Sequence, residues 1–159
     1  MKNGFKMKIR KYKESETEEI KKMISNVLSE FFGKTVIENW EDFKDYDLFL
    51  VAEADKKIVG SIAVKISNGI GNVKRLYVLK EYRNNGLAQK LIDKIFSFCR
   101  EKELQKLSLF TDKRLEAAKH LYFKNGFKEI NDLNWKSNFY NIENEKVDVN
   151  DTILMEKTL

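Results

Sequence analysis

The sequence predicts a mixed α/β domain, with a central, mixed but mostly antiparallel sheet flanked by helices. Three observations lead there. Strand-like runs joined by short turns lie toward both ends, and amphipathic helices alternate with strands in the middle. The apolar share is 42%, with 11 Phe and 6 Tyr, enough to build a packed core. A chain of 159 residues suits one well-cored domain, and no repeat, low-complexity tract or Gly/Ser linker divides it. Residues 1–159 are therefore read as a single domain.

The elements follow in order. Met7–Tyr12 reads as a first strand. Ser15-Glu16-Thr17-Glu18 has the form of a capping box, with Ser15 accepting from the third helical amide and Glu18 reaching back. Ile20, Met23, Ile24, Val27, Leu28 and Phe31 then recur at helical spacing, up to Gly33 as a stop. Val36–Phe43 is expected to form a second short helix. Leu48–Ala54 and Lys57–Ile66 read as a hairpin across Asp55-Lys56, and Asn68-Gly69 turns the chain into a strand at Asn72–Val78. Leu87, Leu91, Ile95, Phe98 and Cys99 mark one face of a helix running to about Lys102. Leu104–Thr111 is the next strand. Leu115, Ala118, Leu121 and Tyr122 form a helical stripe closed by Asn125-Gly126. Phe127–Asn131 returns to strand, residues 131–150 read as a long polar loop, and Ile153–Lys157 is the last strand.

Composition excludes several chemistries. Cys99 is the only cysteine and His120 the only histidine, so an internal disulfide and a Cys/His metal site are ruled out. No apolar run approaches the ~18 residues of a membrane span, and the charged N-terminus does not resemble a signal peptide. A cytoplasmic protein that binds no membrane and no metal is expected. The net charge of +5 is unevenly spread. Residues 56–128 hold 17 Lys/Arg against 6 Asp/Glu, and residues 14–47 hold 4 against 10. One stretch suits an anion and the other a cation, although solvated faces with chance bias would look the same. No nucleic-acid-binding motif accompanies the basic balance.

The most informative segment joins a strand to a helix. The strand through Leu76, Tyr77 and Val78 runs into Arg83-Asn84-Asn85-Gly86-Leu87-Ala88, which opens the helix. The first amides of a helix lack intrahelical partners and sit at the positive end of its dipole. A glycine there admits a ligand close to the backbone, and a small residue two positions on keeps the wall low. Such a loop can cradle a diphosphate, with Arg83 nearby as a cation. Taken alone it is first of all an ordinary strand–turn–helix connection.

The loop is not alone. Arg83, Gly86 and Ala88 match the pattern Arg/Gln-x-x-Gly-x-Gly/Ala, and Ala118, Tyr122, Gly126 and Phe127 match A-x-x-x-Y-x-x-x-G-F. In that order and setting, the stretch from about Leu48 to Ile130 resembles the GNAT superfamily of N-acetyltransferases. The resemblance implies a sheet splayed between the strands ending at Val78 and Thr111, with acetyl-CoA as cosubstrate and no metal. It implies that the pantetheine arm lies in the gap against backbone at Leu76, Tyr77 and Val78. The diphosphate would rest on Arg83, Asn84, Asn85, Gly86, Leu87 and Ala88, with Lys124 within reach of the phosphates. The Leu76 N–H would polarise the thioester carbonyl, and Tyr122 would protonate the departing thiolate. Without the resemblance, Tyr122 reads as a core residue on its helix's apolar face.

Departures from the family pattern are specific. Leu115 stands where many members have Asn, Lys80 and Asn84 where many have Pro and Gly, and Asn72 where some hold a general-base Glu. The implied function is transfer of an acetyl group to a primary amine, on a small molecule or a peptide. The charge split suggests a cationic acceptor, such as a polyamine, a lysine-like amine or an aminoglycoside. Phe31, Phe32, Trp40, Trp135 and Tyr140 are candidates to line its pocket, and Glu143, Glu145, Asp148 and Asp151 to add acid. A protein that binds CoA without catalysis is the alternative, as a monomer or a homodimer.

Overall fold

The computed structural model describes residues 6–33, 40–131 and 152–159. Seven strands form one sheet in the order β1-β2-β3-β4-β5-β7-β6. They are β1 (Lys8–Lys11), β2 (Leu48–Ala54), β3 (Lys57–Ser67), β4 (Ile70–Val78), β5 (Lys106–Asp112), β6 (Lys128–Glu129) and β7 (Thr152–Thr158). Only β4 and β5 run parallel, so the sheet is mixed and mostly antiparallel, as expected.

Two helices package opposite faces. Helix α1 (Thr17–Phe32) buries Ile20, Met23, Ile24 and Val27 against Phe49, Val51, Ile58 and Ala63. Helix α2 (Leu87–Glu101) buries Leu87, Leu91, Ile92, Ile95, Phe96 and Cys99 on the other face, against Leu50, Ala52, Val59 and Ile62. The period-2 alternation of β2 sorts these residues: Phe49 and Val51 point one way, Leu50 and Ala52 the other. Helix α3 (Glu116–Lys124) joins the α2 face through Tyr122.

The hairpin signals are realised by backbone rather than by glycine alone. Asp55 and Lys56 have φ of 51° and 63°, and Asn68 and Gly69 have 52° and 76°. Successive left-handed residues give the turn whose twist suits a two-residue hairpin.

Some expectations change. The chain enters α1 through a short 3₁₀ turn at Glu14–Glu16, so the Ser15–Glu18 box does not form. Glu16 does the capping instead: it accepts from the Lys13 N–H at 2.7 Å while holding Arg10. Phe31, expected on the apolar stripe, is 49% exposed. Of the second helix expected at Val36–Phe43, residues 36–39 lie outside the described residues, and Phe43–Asp45 is a 3₁₀ turn. The last expected return strand shrinks to Lys128–Glu129. Trp135, Tyr140, Glu143, Glu145, Asp148 and Asp151 also lie outside the described residues. No described helix is long and apolar enough to cross a membrane.

Candidate functional site

Strand β4 is paired along one edge and open along much of the other. Its parallel register with β5 covers only Ile70, Gly71 and Asn72 against Lys106, Leu107 and Ser108. Beyond Asn72 the two strands part, although β4 continues to Val78 and β5 to Asp112. The ladder with β5 thus stops six residues before β4 ends, a length of about 20 Å.

The root of this wedge is pinned. The Ser108 hydroxyl donates to Asn72 Oδ1 at 2.6 Å, and Asn72 Nδ2 donates to the Lys65 carbonyl at 3.1 Å. Gly71 lets the strands close there, because a Cβ would stand 2.6 Å from Leu107 Cδ2 and 3.2 Å from Cys99 Sγ. Asn72, at the position where some relatives hold a base, thus ties β4 to β5 and β3.

A bulge shapes β4 midway along the open edge. Ser61 faces Tyr77 and Ala63 faces Lys74, so Arg75 and Leu76 together oppose Ile62. Arg75 has φ of 59°, and its carbonyl accepts from the Ser61 hydroxyl at 2.6 Å. The Arg75 side chain turns to the α1 face, where Nε donates to the Tyr46 hydroxyl at 3.2 Å and the guanidinium lies over Trp40. After the bulge the Leu79 N–H donates back to Val59 on β3 at 2.9 Å. Strand alternation, counted back from Leu79, then directs the amide of Val78 away from β3, toward the wedge, and Leu76 lies in the bulge itself. Tyr77 differs: its amide faces β3, and its ring packs with the α1-face cluster.

At the end of β4 the chain makes the expected loop. Asn84 and Gly86 both adopt left-handed φ, 63° and 75°. Asparagine is among the residues that tolerate this region best, which explains how Asn84 serves where many relatives have glycine. A Cβ on Gly86 would meet nothing within 4 Å, so open space lies beside its backbone. Helix α2 has no side-chain cap, and its first intrahelical bond of this turn runs from Lys90 N–H to the Gly86 carbonyl at 3.0 Å. The amides of Leu87, Ala88 and Gln89 precede that bond and are left for another acceptor.

Arg83 is placed unexpectedly. Its Nε donates to the Val78 carbonyl at 2.9 Å, its Nη2 to Glu30 at 3.0 Å, and its Nη1 to the other Glu30 oxygen. The guanidinium also stacks on Phe31, 5.0 Å from the ring centre. It therefore turns toward the end of α1.

Tyr122 stands on α3 with its ring 7% exposed, in an apolar seam with Val73 of β4, Leu109 of β5 and Phe127. It bridges the level at which the strands part. Burial raises its phenol far above the ordinary value, with Tyr77 adding to the shift. The hydroxyl is thus held protonated. Its orientation has a support that the sequence did not suggest: Gln89 and Asn125 exchange amide hydrogen bonds at 2.8 Å in each direction. That pair locks the first turn of α2, which carries the free amides, to the end of α3.

The remaining candidates are quickly placed. Lys124 is exposed at the end of α3, and Leu115 precedes its first turn. Cys99 is buried and its thiol is pushed up to about 11, leaving it unreactive at neutral pH. His120 is exposed. No group of three or more His, Cys, Asp or Glu among the described residues could hold a metal ion.

The acidic stretch 14–47 is not an open wall of charge. Glu14 pairs with Lys44, Glu16 with Arg10, Glu18 with Lys21, Glu30 with Arg83 and Glu41 with Lys74. Glu19, Asp42 and Asp47 accept from backbone amides.

Residues 45–129, spanning the wedge, the loop and Tyr122, match the family model of the acetyltransferase (GNAT) domain. The chain belongs to the GNAT family. A GNAT-family acetyltransferase structure from Staphylococcus aureus superposes with a TM-score of 0.81 at 27% identity, covering 96% of this chain and 99% of that one. The PaiA N-acetyltransferase of Thermoplasma acidophilum, in complex with coenzyme A, shares the fold at a TM-score of 0.72 and 18% identity, with 96% and 99% covered. In sequence, the GNAT chain is 30% identical over 81 residues to a spermidine N(1)-acetyltransferase of Thermoplasma acidophilum, 51% of this chain and 50% of that protein. It is 31% identical over 84 residues to the probable N-acetyltransferase camello of Xenopus tropicalis, 51% of this chain and 38% of that protein. The match thus spans half or less of these curated relatives.

Proposed function

We propose that this chain transfers an acetyl group from acetyl-CoA to a primary amine within a ternary complex. The observation that carries the reading is the open edge of β4 leading directly into the uncapped amides of α2. A pantetheine arm, with its amides, is a natural partner for an unpaired strand edge. A diphosphate is a natural partner for free helix-terminal amides.

The chemistry then has a place for each change of charge. The amine lone pair attacks the thioester carbonyl carbon and the C–N bond forms. The carbonyl oxygen becomes negative and takes hydrogen bonding from the Leu76 N–H. The C–S bond breaks, and the departing sulfur takes the proton of the Tyr122 hydroxyl, which the buried seam keeps in its neutral, acidic form. The nitrogen's surplus proton passes to water or to a carboxylate supplied by another segment, since Asn72 cannot accept it and is engaged with Ser108.

The acceptor is proposed to be a cationic amine of the polyamine or lysine type. The acidic residues that pair within the protein support this less than the raw charge count does. The spermidine acetyltransferase among the relatives supports the same direction. The test is release of free thiol from acetyl-CoA across a panel of cationic, neutral and anionic amines. Turnover confined to anionic amines removes the charge argument. CoA binding with no turnover on any amine supports the alternative of a non-catalytic CoA-binding protein, which the engaged Asn72 favours.

A further inference from the structure

We propose that Glu30, acting through Arg83, is a positioning residue of the cofactor loop, and that Arg83 braces this loop rather than binding phosphate with its charge. The inference rests on the reading of residues 83–88 as the diphosphate site.

Three partners hold Arg83, namely Glu30, the Val78 carbonyl and Phe31, and none of them belongs to α2. The fork onto Glu30 uses both terminal nitrogens and both carboxylate oxygens. This planar two-bond geometry fixes direction as well as distance, which a point charge cannot do. Of the three N–H groups left over, the one on Nε reaches back to the Val78 carbonyl at 2.9 Å. Phe31 covers one face of the guanidinium. Glu30 and Phe31 belong to the last turn of α1, more than fifty residues earlier in the chain.

The consequence is local. Val78 is the last residue of β4, and Arg83 begins the loop. The Nε bond closes residues 78–83 into a fixed loop, and the Glu30 fork keeps Nε in place. The following residues, Asn84 and Gly86, need left-handed backbone, so the direction in which the loop starts governs where the free amides point. The Glu30 carboxyl is held below the usual carboxylate range, chiefly by its hydrogen bonds from Arg83, and Lys80 contributes. It is therefore ionised and able to hold the fork across the neutral range.

A brace and a phosphate ligand respond oppositely to the same substitutions. If Arg83 is a brace, Glu30→Gln loosens the loop and weakens cofactor binding. If Arg83 is a phosphate ligand restrained by Glu30, Glu30→Gln releases the cation and tightens binding. Arg83→Gln keeps an amide donor for Val78 without charge, whereas Arg83→Lys keeps the charge without the fork.

The experiment is calorimetric titration of the intact chain with CoA at low and moderate salt, followed by steady-state kinetics with acetyl-CoA. The expected result for Glu30→Gln is a CoA Kd and an acetyl-CoA KM raised ~3- to 10-fold, the range for an oriented charged hydrogen-bond pair. The value of kcat at saturating cofactor and the KM for the amine are expected to change by less than about 2-fold, a split that general destabilisation would not give. Arg83→Gln should bind CoA at least as well as Arg83→Lys, with the salt dependence of the unsubstituted protein. Tighter binding by Glu30→Gln, or better binding by Arg83→Lys than by Arg83→Gln, overturns the proposal. If the unsubstituted protein binds no CoA, the proposed function itself fails.

Discussion

Strand β5 has two edges that follow opposite rules. Toward β7 it pairs along its whole length, Lys106 to Asp112 against Thr158 to Thr152. Toward β4 it pairs at three residues and then lets go. Both edges belong to one backbone with the same intrinsic propensities, so the difference is imposed from outside the strand. The β7 edge is an uninterrupted antiparallel ladder. The β4 edge is closed at one end by Gly71, Asn72 and Ser108, and just beyond that root Val73, Leu109 and Tyr122 line one apolar seam. A stable sheet can thus contain an open slot if the root is pinned and the opening is packed from beneath.

The largest expected effect comes from removing the hydroxyl at the opening. Tyr122→Phe keeps the aromatic ring in the seam but removes the proton that we propose goes to the leaving sulfur. It should lower kcat by ~100-fold or more, as general-acid loss does, while CoA affinity stays unchanged. Equal turnover by the variant would make Tyr122 a packing residue only. Next is the loop at the other end of the slot. Gly86→Val forces a β-branched residue to a φ of 75°, and the ~1–2 kcal/mol strain of the left-handed region should appear as a loss of CoA affinity of roughly 5- to 30-fold. Calorimetry reads that directly; unchanged affinity would remove Gly86 from the site.

Smaller effects probe the pinned root. Gly71→Ala places a methyl 2.6 Å from the Leu107 side chain and should cost ~1–3 kcal/mol of stability through overpacking. Denaturant unfolding measures it, and a neutral result would mean the root can yield. The last effect appears only at high pH. An unfolded tyrosine ionises near pH ~10, whereas burial holds Tyr122 protonated well above that. Below pH ~10 both states keep the proton and stability is complete; above it, the unfolded state ionises first and stability falls. Burial also raises Tyr12 and Tyr46, so Tyr122→Phe should show a smaller alkaline loss rather than none. Parallel pH–stability curves for the two proteins would show that the phenol is not buried as described.

Much of the fold was legible because its signals are local. The stripe Leu87, Leu91, Ile95 and Cys99 and the turns at Asp55-Lys56 and Asn68-Gly69 each encode their element within a few residues. The loop was legible for the same reason, with Gly86 marking the left-handed position. What stayed hidden depends on distance in the chain. Arg75 carries no residue-level sign of a bulge, since a non-glycine at positive φ is held there by its partners Ser61 and Tyr46. Glu30 and Arg83 meet across α1 and β4, which no spacing rule relates. The charge count of residues 14–47 misled for the same reason: most of those acids meet their cations or amides only in the folded chain.

The stretch of β4 beyond its ladder with β5 also bears on solubility. A strand edge that can accept a ligand's amides can equally accept a strand from a neighbouring molecule. An occupant of the slot would act as a temporary guard for that edge. Heated without such a guard, the protein should precipitate sooner than in its presence, so the ligand would matter for shelf life as well as for chemistry.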